Sequence, residues 1–84
     1  MLYRLTIKPK AVKALERINE PYYTTIKEVI YSLAGEPRPQ GCKKLKGRDG
    51  YRIRAGDYRI IYTIADKILT IDVVAIGHRK DIYE

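Results

Sequence analysis

Three arginines near the middle of the chain, Arg52, Arg54 and Arg59, have side chains suited to phosphate chemistry. The planar guanidinium group donates two parallel hydrogen bonds to a phosphate and keeps its charge in any environment. It can hold a phosphodiester and stabilise negative charge that develops on the phosphorus oxygens. We interpret the three side chains as a candidate anion site. In the alternative interpretation, Asp72 partly neutralises Arg52 and water solvates the rest.

Proton transfer needs other side chains, because the pKa of arginine lies above ~12 and arginine is a poor general base. The candidates are His78 and Tyr83, and His78 has the pKa best suited to neutral pH. His78 also precedes a further arginine, Arg79. One histidine and one cysteine exclude most zinc sites, so we expect no metal and no other cofactor.

The strands that position the arginines are predicted by alternating polar and apolar residues from Tyr51 onward. Turn dipeptides at Gly56-Asp57 and Asp66-Lys67 divide this segment into antiparallel strands over residues 51 to 55, 58 to 65 and 68 to 76. If both turns have two residues, the pairs are Ala55 with Tyr58, Arg54 with Arg59, Ile53 with Ile60, Ala65 with Ile68 and Ile60 with Val73.

This register separates a polar face, which holds the three arginines, from an apolar face. The apolar face collects Tyr51, Ile53, Tyr58, Ile60, Tyr62, Ile64, Leu69, Ile71, Val73 and Ala75. A slip by one residue would turn arginines toward the core, so the cost of burying charge favours this register.

Helices from the first half of the chain are expected to cover the apolar face. Residues 2 to 7 alternate as a strand, a helix follows over residues 9 to 19 with Val12, Leu15 and Ile18 on one stripe, and a second helix spans residues 21 to 34. A chain of 84 residues supports one core. The predicted fold is a single α+β domain over residues 1 to 84, with an N-terminal strand, a two-helix hairpin and an antiparallel β-meander packed on the helices.

The net charge of +7 is concentrated in residues 38 to 59, which carry eight basic and two acidic side chains. Such a patch is typical of proteins that bind a polyanion, with nucleic acid the first candidate and an acidic protein the second. Within it, a loop contributes Lys43, Lys44, Lys46 and Arg48, which we interpret as salt-dependent contacts to an RNA backbone. The chain shows neither a signal peptide nor a membrane-spanning apolar run, so we expect a cytoplasmic protein.

The sequence resembles the RelE-like toxins of bacterial and archaeal type II toxin–antitoxin systems, within the RelE/ParE superfamily. The resemblance rests on KKLKG at residues 43 to 47, YRIRAGDYRIIY at residues 51 to 62, VAIGHR at residues 74 to 79, and Tyr83. Together with the order of strand, two helices and meander, it covers essentially the whole chain.

The resemblance implies a fold like that of microbial ribonucleases and cleavage of messenger RNA in the ribosomal A site. The 2′-hydroxyl attacks the adjacent phosphorus without a metal ion and leaves a cyclic phosphate or 3′-phosphate and a 5′-hydroxyl. By position, Arg52 and Arg54 match residues that bind phosphate and assist proton transfer, and Arg59 and Arg79 match arginines that stabilise the transition state. Tyr83 matches a tyrosine that stacks on or orients the scissile nucleotide.

Well-studied members carry lysines at the positions of Arg52 and Arg54, which makes His78 the candidate for proton transfer here. The sequence does not identify the general base or the codon preference, and it does not show whether free RNA is cut.

Two other functions fit parts of the pattern. ParE toxins share the architecture, inhibit DNA gyrase and do not cut RNA; the resemblance implies that they lack the set of Arg59, His78, Arg79 and Tyr83. A noncatalytic nucleic-acid-binding module would need only the basic face. For a toxin, the resemblance implies a hetero-oligomer with a cognate antitoxin, whose acidic, amphipathic segment covers the arginines or displaces the C-terminus.

Overall fold

The computed structural model of the protein describes residues 2–81, which form a five-stranded sheet and two helices. The elements in chain order are β1 (Arg4–Ile7), α1 (Pro9–Glu16), α2 (Tyr22–Ser32), β2 (Lys43–Lys44), β3 (Tyr51–Ala55), β4 (Tyr58–Ala65) and β5 (Thr70–His78). The strand order is β1-β5-β4-β3-β2, with β1 parallel to β5 and all other neighbours antiparallel. The predicted α+β architecture is confirmed.

The two helices are shorter than predicted. After α1, the N–H groups of Arg17 and Ile18 donate to carbonyls three residues back, so the last turn tightens and the α-helix ends. The buried side chains of α1 are Ala11 and Leu15, whereas Val12, predicted on the buried stripe, is 38% exposed. Neither helix of the described chain is long and apolar enough to cross a lipid bilayer.

The hairpin of β3 and β4 has the predicted register. Ala55 pairs with Tyr58, and the ladder continues through Arg54 with Arg59. Gly56 adopts a φ of 62°, a left-handed conformation that a two-residue turn requires and that glycine adopts without strain.

The predicted register between β4 and β5 is wrong. Ala65 pairs with Thr70 instead of Ile68, because a short 3-10 helix (Asp66–Ile68) and the left-handed residue Leu69 lengthen the connection. A β-bulge then shifts the ladder, so that Ile60 faces Ile76 instead of Val73.

This bulge changes which residues face the helices. Tyr62 pairs with Val73 and Ile61 with Ala75, so Val74 is the extra residue. Beyond it, Ile76 is buried in the core, and Ala75, predicted for the apolar face, lies on the opposite face beside Ile61.

The core lies between the helices and one face of the sheet. Its members are Ala11, Leu15, Ile26, Ile30, Leu33, Ala55, Ile60, Tyr62, Ile71, Val73 and Ile76. The helices thus cover one side of the sheet, and the side chains that alternate with the core residues lie on the other side.

Candidate functional site

Arg52, Arg54 and Arg59 share the side of the sheet that faces away from the core. Arg54 lies directly opposite Arg59 in the ladder of β3 and β4, and Arg52 lies opposite Ile61. Because residues two apart on a strand share a face, the three side chains point to the same side. We call these three residues the arginine face.

Arg52 is the most buried member of the arginine face, with 8% of its surface exposed. Its cross-strand neighbour Ile61 is 2% exposed although it lies outside the main core. Burial lowers the pKa of the Arg52 guanidinium, and the like charges of Arg59 and Arg54 lower it further. Because an anion stabilises the charged guanidinium, an anion bound here would raise this pKa.

Arg59 carries a buried donor without an acceptor. Its Nε atom is shielded from solvent and has no hydrogen-bond partner in the structure of residues 2–81. Such orphaned donors are rare, because an unmade hydrogen bond in a buried position costs free energy. On the β5 side, the residue opposite Arg59 is Gly77, which contributes no side chain to that position. The site is therefore suited to an anionic acceptor.

Arg79 lies beside the turn that joins β3 to β4. Its backbone N–H donates to the carbonyl of Asp57 over 2.8 Å, and its Nε atom is 3.8 Å from Oδ1 of the same residue. Both side chains are more than half exposed, so this ion pair is weak and easily exchanged for another anion. The fold thus brings Arg79 to the hairpin that carries Arg54 and Arg59.

The structure does not bring His78 to the arginine face. His78 pairs with Tyr58, and its ring meets the Tyr58 ring edge-on at 5.5 Å between centroids. Tyr58 in turn contacts Tyr22 of α2, which places this group of rings on the helix side of the sheet. The Nδ1 atom of His78 accepts the N–H of Lys80 at 3.2 Å. In the neutral ring Nε2 then carries the proton, so Nε2 is a donor and not a base.

The basic loop borders the arginine face through one lysine. Lys43 pairs with Arg52 across β2 and β3, whereas Lys44, Lys46 and Arg48 are exposed at the periphery. Tyr83 lies outside the described residues.

The position of this basic loop depends on two residues that the sequence did not single out as functional. Leu45 is 4% exposed, and its N–H donates to the carbonyl of Gly50. Gly50 has a φ of 127°, and a Cβ atom there would lie 3.2 Å from both Leu45 Cδ1 and the Tyr62 carbonyl oxygen. The signal available in the sequence was a lone apolar residue among lysines, followed by a glycine directly before β3.

Arg38, which belongs to the basic patch of residues 38 to 59, makes a structural contact. Its Nη2 atom donates to Asp66 Oδ2 at 2.9 Å, and its Nε atom donates to the Tyr51 hydroxyl at 3.1 Å. The hydrogen bonds that Asp66 accepts from Arg38 and from the Tyr3 hydroxyl hold the pKa of its carboxyl below the ordinary value. Nearby, the buried Tyr62 hydroxyl donates to the Pro37 carbonyl. The contacts fasten the segment before β2 to the sheet.

Asp72 also makes its ion pair and hydrogen bond away from the arginines. Its Oδ2 atom is 3.0 Å from Lys8 Nζ, and its Oδ1 atom accepts the Thr6 hydroxyl. The structure therefore gives no support to the alternative in which Asp72 neutralises Arg52.

Comparisons with known proteins agree on one group of relatives. Residues 5–83 match the family described as ParE toxin of type II toxin-antitoxin system, parDE. The chain is similar to the RelE–RelB complex of Pyrococcus horikoshii, with 34% identity, 98% and 100% of the two chains covered and a TM-score of 0.85. It is also similar to the RelB–RelE complex of Methanococcus jannaschii, with 29% identity, 93% and 94% coverage and a TM-score of 0.72. A protein of Escherichia coli whose name describes it as RelE-like is 26% identical, over 99% of this chain and 92% of its own length.

Proposed function

The chain belongs to the RelE/ParE superfamily of toxins from type II toxin–antitoxin systems, and we propose that it is a ribosome-dependent endoribonuclease of that superfamily. Its substrate is messenger RNA on the ribosome, and its action inhibits translation. The proposal agrees with the names of the relatives above, which are RelE proteins or are described as RelE-like.

The observation that carries the proposal is the buried Nε atom of Arg59, which has no acceptor among residues 2–81 and lies between Arg54 and the glycine position of β5. A phosphodiester supplies acceptors of the right charge, and Arg54 adds a second positive charge from directly across the ladder. The 2′-oxygen of the ribose attacks the phosphorus while the bond to the 5′-oxygen breaks. Arg59 and Arg54 stabilise the additional negative charge on the phosphorus oxygens.

Arg79 completes the set of charges when substrate binds. Its contact with Asp57 is long and exposed, so a phosphate oxygen competes for it. The proton of the 2′-hydroxyl has to leave and the 5′-oxygen has to gain one. Because His78 lies on the helix side with Nδ1 engaged, we assign the described residues to charge stabilisation and positioning. Tyr83 remains the proposed residue for stacking on the scissile nucleotide.

The regulatory partner in this proposal is an antitoxin, in line with the toxin–antitoxin complexes among the similar structures. An acidic segment would satisfy the same arginines as the RNA does, so antitoxin and substrate would exclude each other.

A second candidate is a ParE-like inhibitor of DNA gyrase without nuclease activity. The family description favours it, because that description names ParE. Inhibition of gyrase does not require a buried hydrogen-bond donor without an acceptor, such as the Nε atom of Arg59.

The test is inducible expression followed by primer extension on cellular transcripts. Wild type is compared with Arg59→Ala and with Arg4→Ala, which removes an exposed arginine from the edge strand β1. Cuts inside translated codons that vanish only in Arg59→Ala support the ribonuclease. Growth arrest without cuts, accompanied by DNA damage, supports the gyrase inhibitor instead.

A further inference from the structure

Three aromatic rings lie in a row at the end of the sheet where β3 turns into β4. The ring centroid of Tyr22, the first residue of α2, is 5.6 Å from that of Tyr58, and the Tyr58 centroid is 5.5 Å from that of His78. Tyr58 and His78 are partly buried, whereas Tyr22 is 46% exposed. We call these three residues the aromatic row. Its outer member offers ring surface to a ligand, and the two inner members support that ring.

The turn between β3 and β4 places the outer ring beside a cation. A Cβ atom on Gly56 would lie 4.0 Å from the Cδ1 and Cε1 atoms of Tyr22, so this ring packs against the turn. The carbonyl of the next residue, Asp57, accepts the Arg79 N–H over 2.8 Å, and its carboxylate is 3.8 Å from Arg79 Nε. Consecutive Cα atoms are only about 3.8 Å apart. An exposed ring and an exposed cation therefore flank the same two-residue turn.

The aromatic row directly follows the arginine face along the sheet. Arg59 pairs with Gly77, and the neighbouring pair is Tyr58 with His78. Because successive residues of a strand point to opposite faces, Arg59 points away from the helices and Tyr58 points toward them. The two pairs are separated by about 3.4 Å along the strands. An RNA strand that leaves Arg59 and bends around this end of the sheet therefore meets the aromatic row next.

The chemistry of the aromatic row suits a nucleobase. Proteins bind single-stranded nucleic acids by stacking bases on aromatic rings while cations hold the backbone. Tyr22 and Arg79 supply one group of each kind. A base is neutral, so the carboxylates of Asp57 and Glu20 do not repel it as they would repel a phosphate. The Glu20 carboxylate is also occupied, because it accepts hydrogen bonds from the N–H and the hydroxyl of Thr24.

A protein partner fits this surface less well. Protein interfaces bury several large apolar or aromatic side chains at their centre. The exposed large apolar side chains among residues 2–81 are Leu2, Val12, Tyr22, Tyr31 and Ile68. Val12 and Tyr31 line a groove between α1 and α2, whereas Leu2 precedes β1 and Ile68 lies in the turn before β5. Tyr22 is thus the one exposed ring of the described chain at the turn of β3 and β4, and one ring suits the flat face of a single base.

We propose that the aromatic row is a base-stacking subsite for the nucleotide next to the scissile phosphate. The inference rests on the proposed function, which places that phosphate on Arg54 and Arg59. The neighbouring base stacks on Tyr22, and Arg79 contacts the backbone between the two sites. Stacking holds the strand without selecting its sequence, because every base has an aromatic face. His78 contributes to this subsite as a support of the Tyr58 ring and not as a proton-transfer group.

The test measures the affinity of the full chain for a four-nucleotide RNA, 2′-O-methylated throughout so that it cannot be cut. NMR titration compares this strand with versions in which each base in turn is removed to leave an abasic sugar. The variants are Tyr22→Leu, Tyr22→Phe and the control Tyr31→Leu, which replaces another exposed tyrosine of α2. Leucine is a better helix former than tyrosine, so α2 persists, and circular dichroism verifies this.

We expect removal of one particular base to weaken binding to the wild type by about 5- to 100-fold, the range for one stacked base. Tyr22→Leu should bind the complete strand more weakly by a similar factor and lose nothing further when that base is removed. Tyr22→Phe keeps the ring and should bind like the wild type, as should Tyr31→Leu. This pattern assigns the stacked base to Tyr22.

A Tyr22→Leu protein that is as sensitive to base removal as the wild type would overturn the proposal. So would a wild type that binds the complete strand and all of its abasic versions equally. If Arg59→Ala nevertheless weakened binding of the strand, the subsite alone would fail and the proposed function would stand. Conversely, a stacked base together with uncut transcripts in the primer-extension experiment would retain the subsite and overturn the ribonuclease.

Discussion

Arg54 and Arg59 face each other across the central hairpin, two like charges in directly paired positions of an antiparallel ladder. Such pairs are unfavourable in an empty sheet, because the side chains lie within a few ångströms of each other. The arrangement gives up folding stability and keeps the positive potential that an anionic ligand needs.

Replacing Arg59 should therefore separate stability from activity. Arg59→Met keeps the apolar stem but removes the repulsion and the buried Nε donor. We expect unfolding in urea to require about 0.2–1 kcal/mol more free energy, the range for cross-strand pairs, while cleavage falls roughly hundredfold. Arg4→Met serves as the control, and a destabilised but fully active Arg59→Met protein would contradict the assignment of this residue.

An inorganic anion should stabilise the folded protein. Phosphate bound between Arg54 and Arg59 binds the native state alone, so the melting temperature should rise with phosphate concentration. The rise should be smaller in Arg59→Met than in wild type when chloride maintains a constant ionic strength. Identical phosphate curves for the two proteins would show that the arginine face holds no anion.

The contact of Arg38 with Asp66 should make stability depend on acid pH. The pKa of Asp66 is lowered below 3.8, its ordinary value, chiefly by the hydrogen bonds from Arg38. The stability that this group contributes is fully present above 3.8 and is lost as the pH falls through the lower folded-state pKa. The gap in unfolding free energy between wild type and Arg38→Met should shrink below that pH. Arg48→Met, an exposed arginine without a salt bridge in the described chain, should show no such change.

His78 should prove to be a packing residue. His78→Phe keeps an aromatic ring against Tyr58 but removes both nitrogens, so we expect cleavage within a few-fold of wild type. His78→Ala should cost about 0.5–1.5 kcal/mol of stability through the lost ring contact. Single-turnover cleavage and urea unfolding measure the two effects. If His78→Phe lost more than a hundredfold in cleavage while remaining folded, the histidine would be restored as the proton-transfer group.

Gly50 should be the least replaceable glycine of the basic loop. A Cβ atom there meets the Tyr62 carbonyl oxygen and the Leu45 side chain at 3.2 Å, in addition to the strain of its φ of 127°. We expect Gly50→Ala to cost about 1–3 kcal/mol and to weaken RNA binding by displacing the loop. Gly47→Ala is the matched control, since its φ is also positive but a Cβ atom there has nothing within 4 Å. A similar loss of stability in both variants would mean that backbone strain alone, and not contact with Tyr62, sets the requirement.

The hairpin of β3 and β4 could be predicted because a glycine turn and strict alternation both act locally. The connection to β5 could not be predicted, since Leu69 adopts a left-handed conformation that leucine rarely takes, and the bulge at Val74 depends on how β4 and β5 fit together in the folded sheet. The predicted strand ended at residue 76, so the sequence assigned His78 to neither face of the sheet. In the structure β5 continues to His78 and the bulge turns this residue toward the helices, whereas the three arginines lie on the face that the alternation predicted.

The sequence also could not predict two features of the site. The Nε atom of Arg59 has no acceptor among residues 2–81, and Asp72 forms a salt bridge with Lys8. Both depend on packing between residues far apart in the chain.

The position of β5 in the sheet also bears on how the chain matures during synthesis. β5 lies between β1 and β4, yet among residues 2–81 it is the last strand to be made, and its parallel partner β1 is the first. Until β5 has been made, β1 has no neighbouring strand in the sheet and β4 has a partner on one side only. A nascent chain that ends before β5 can still pair Arg54 with Arg59 across the hairpin, but it lacks Gly77, the residue that lies opposite Arg59 on the other side.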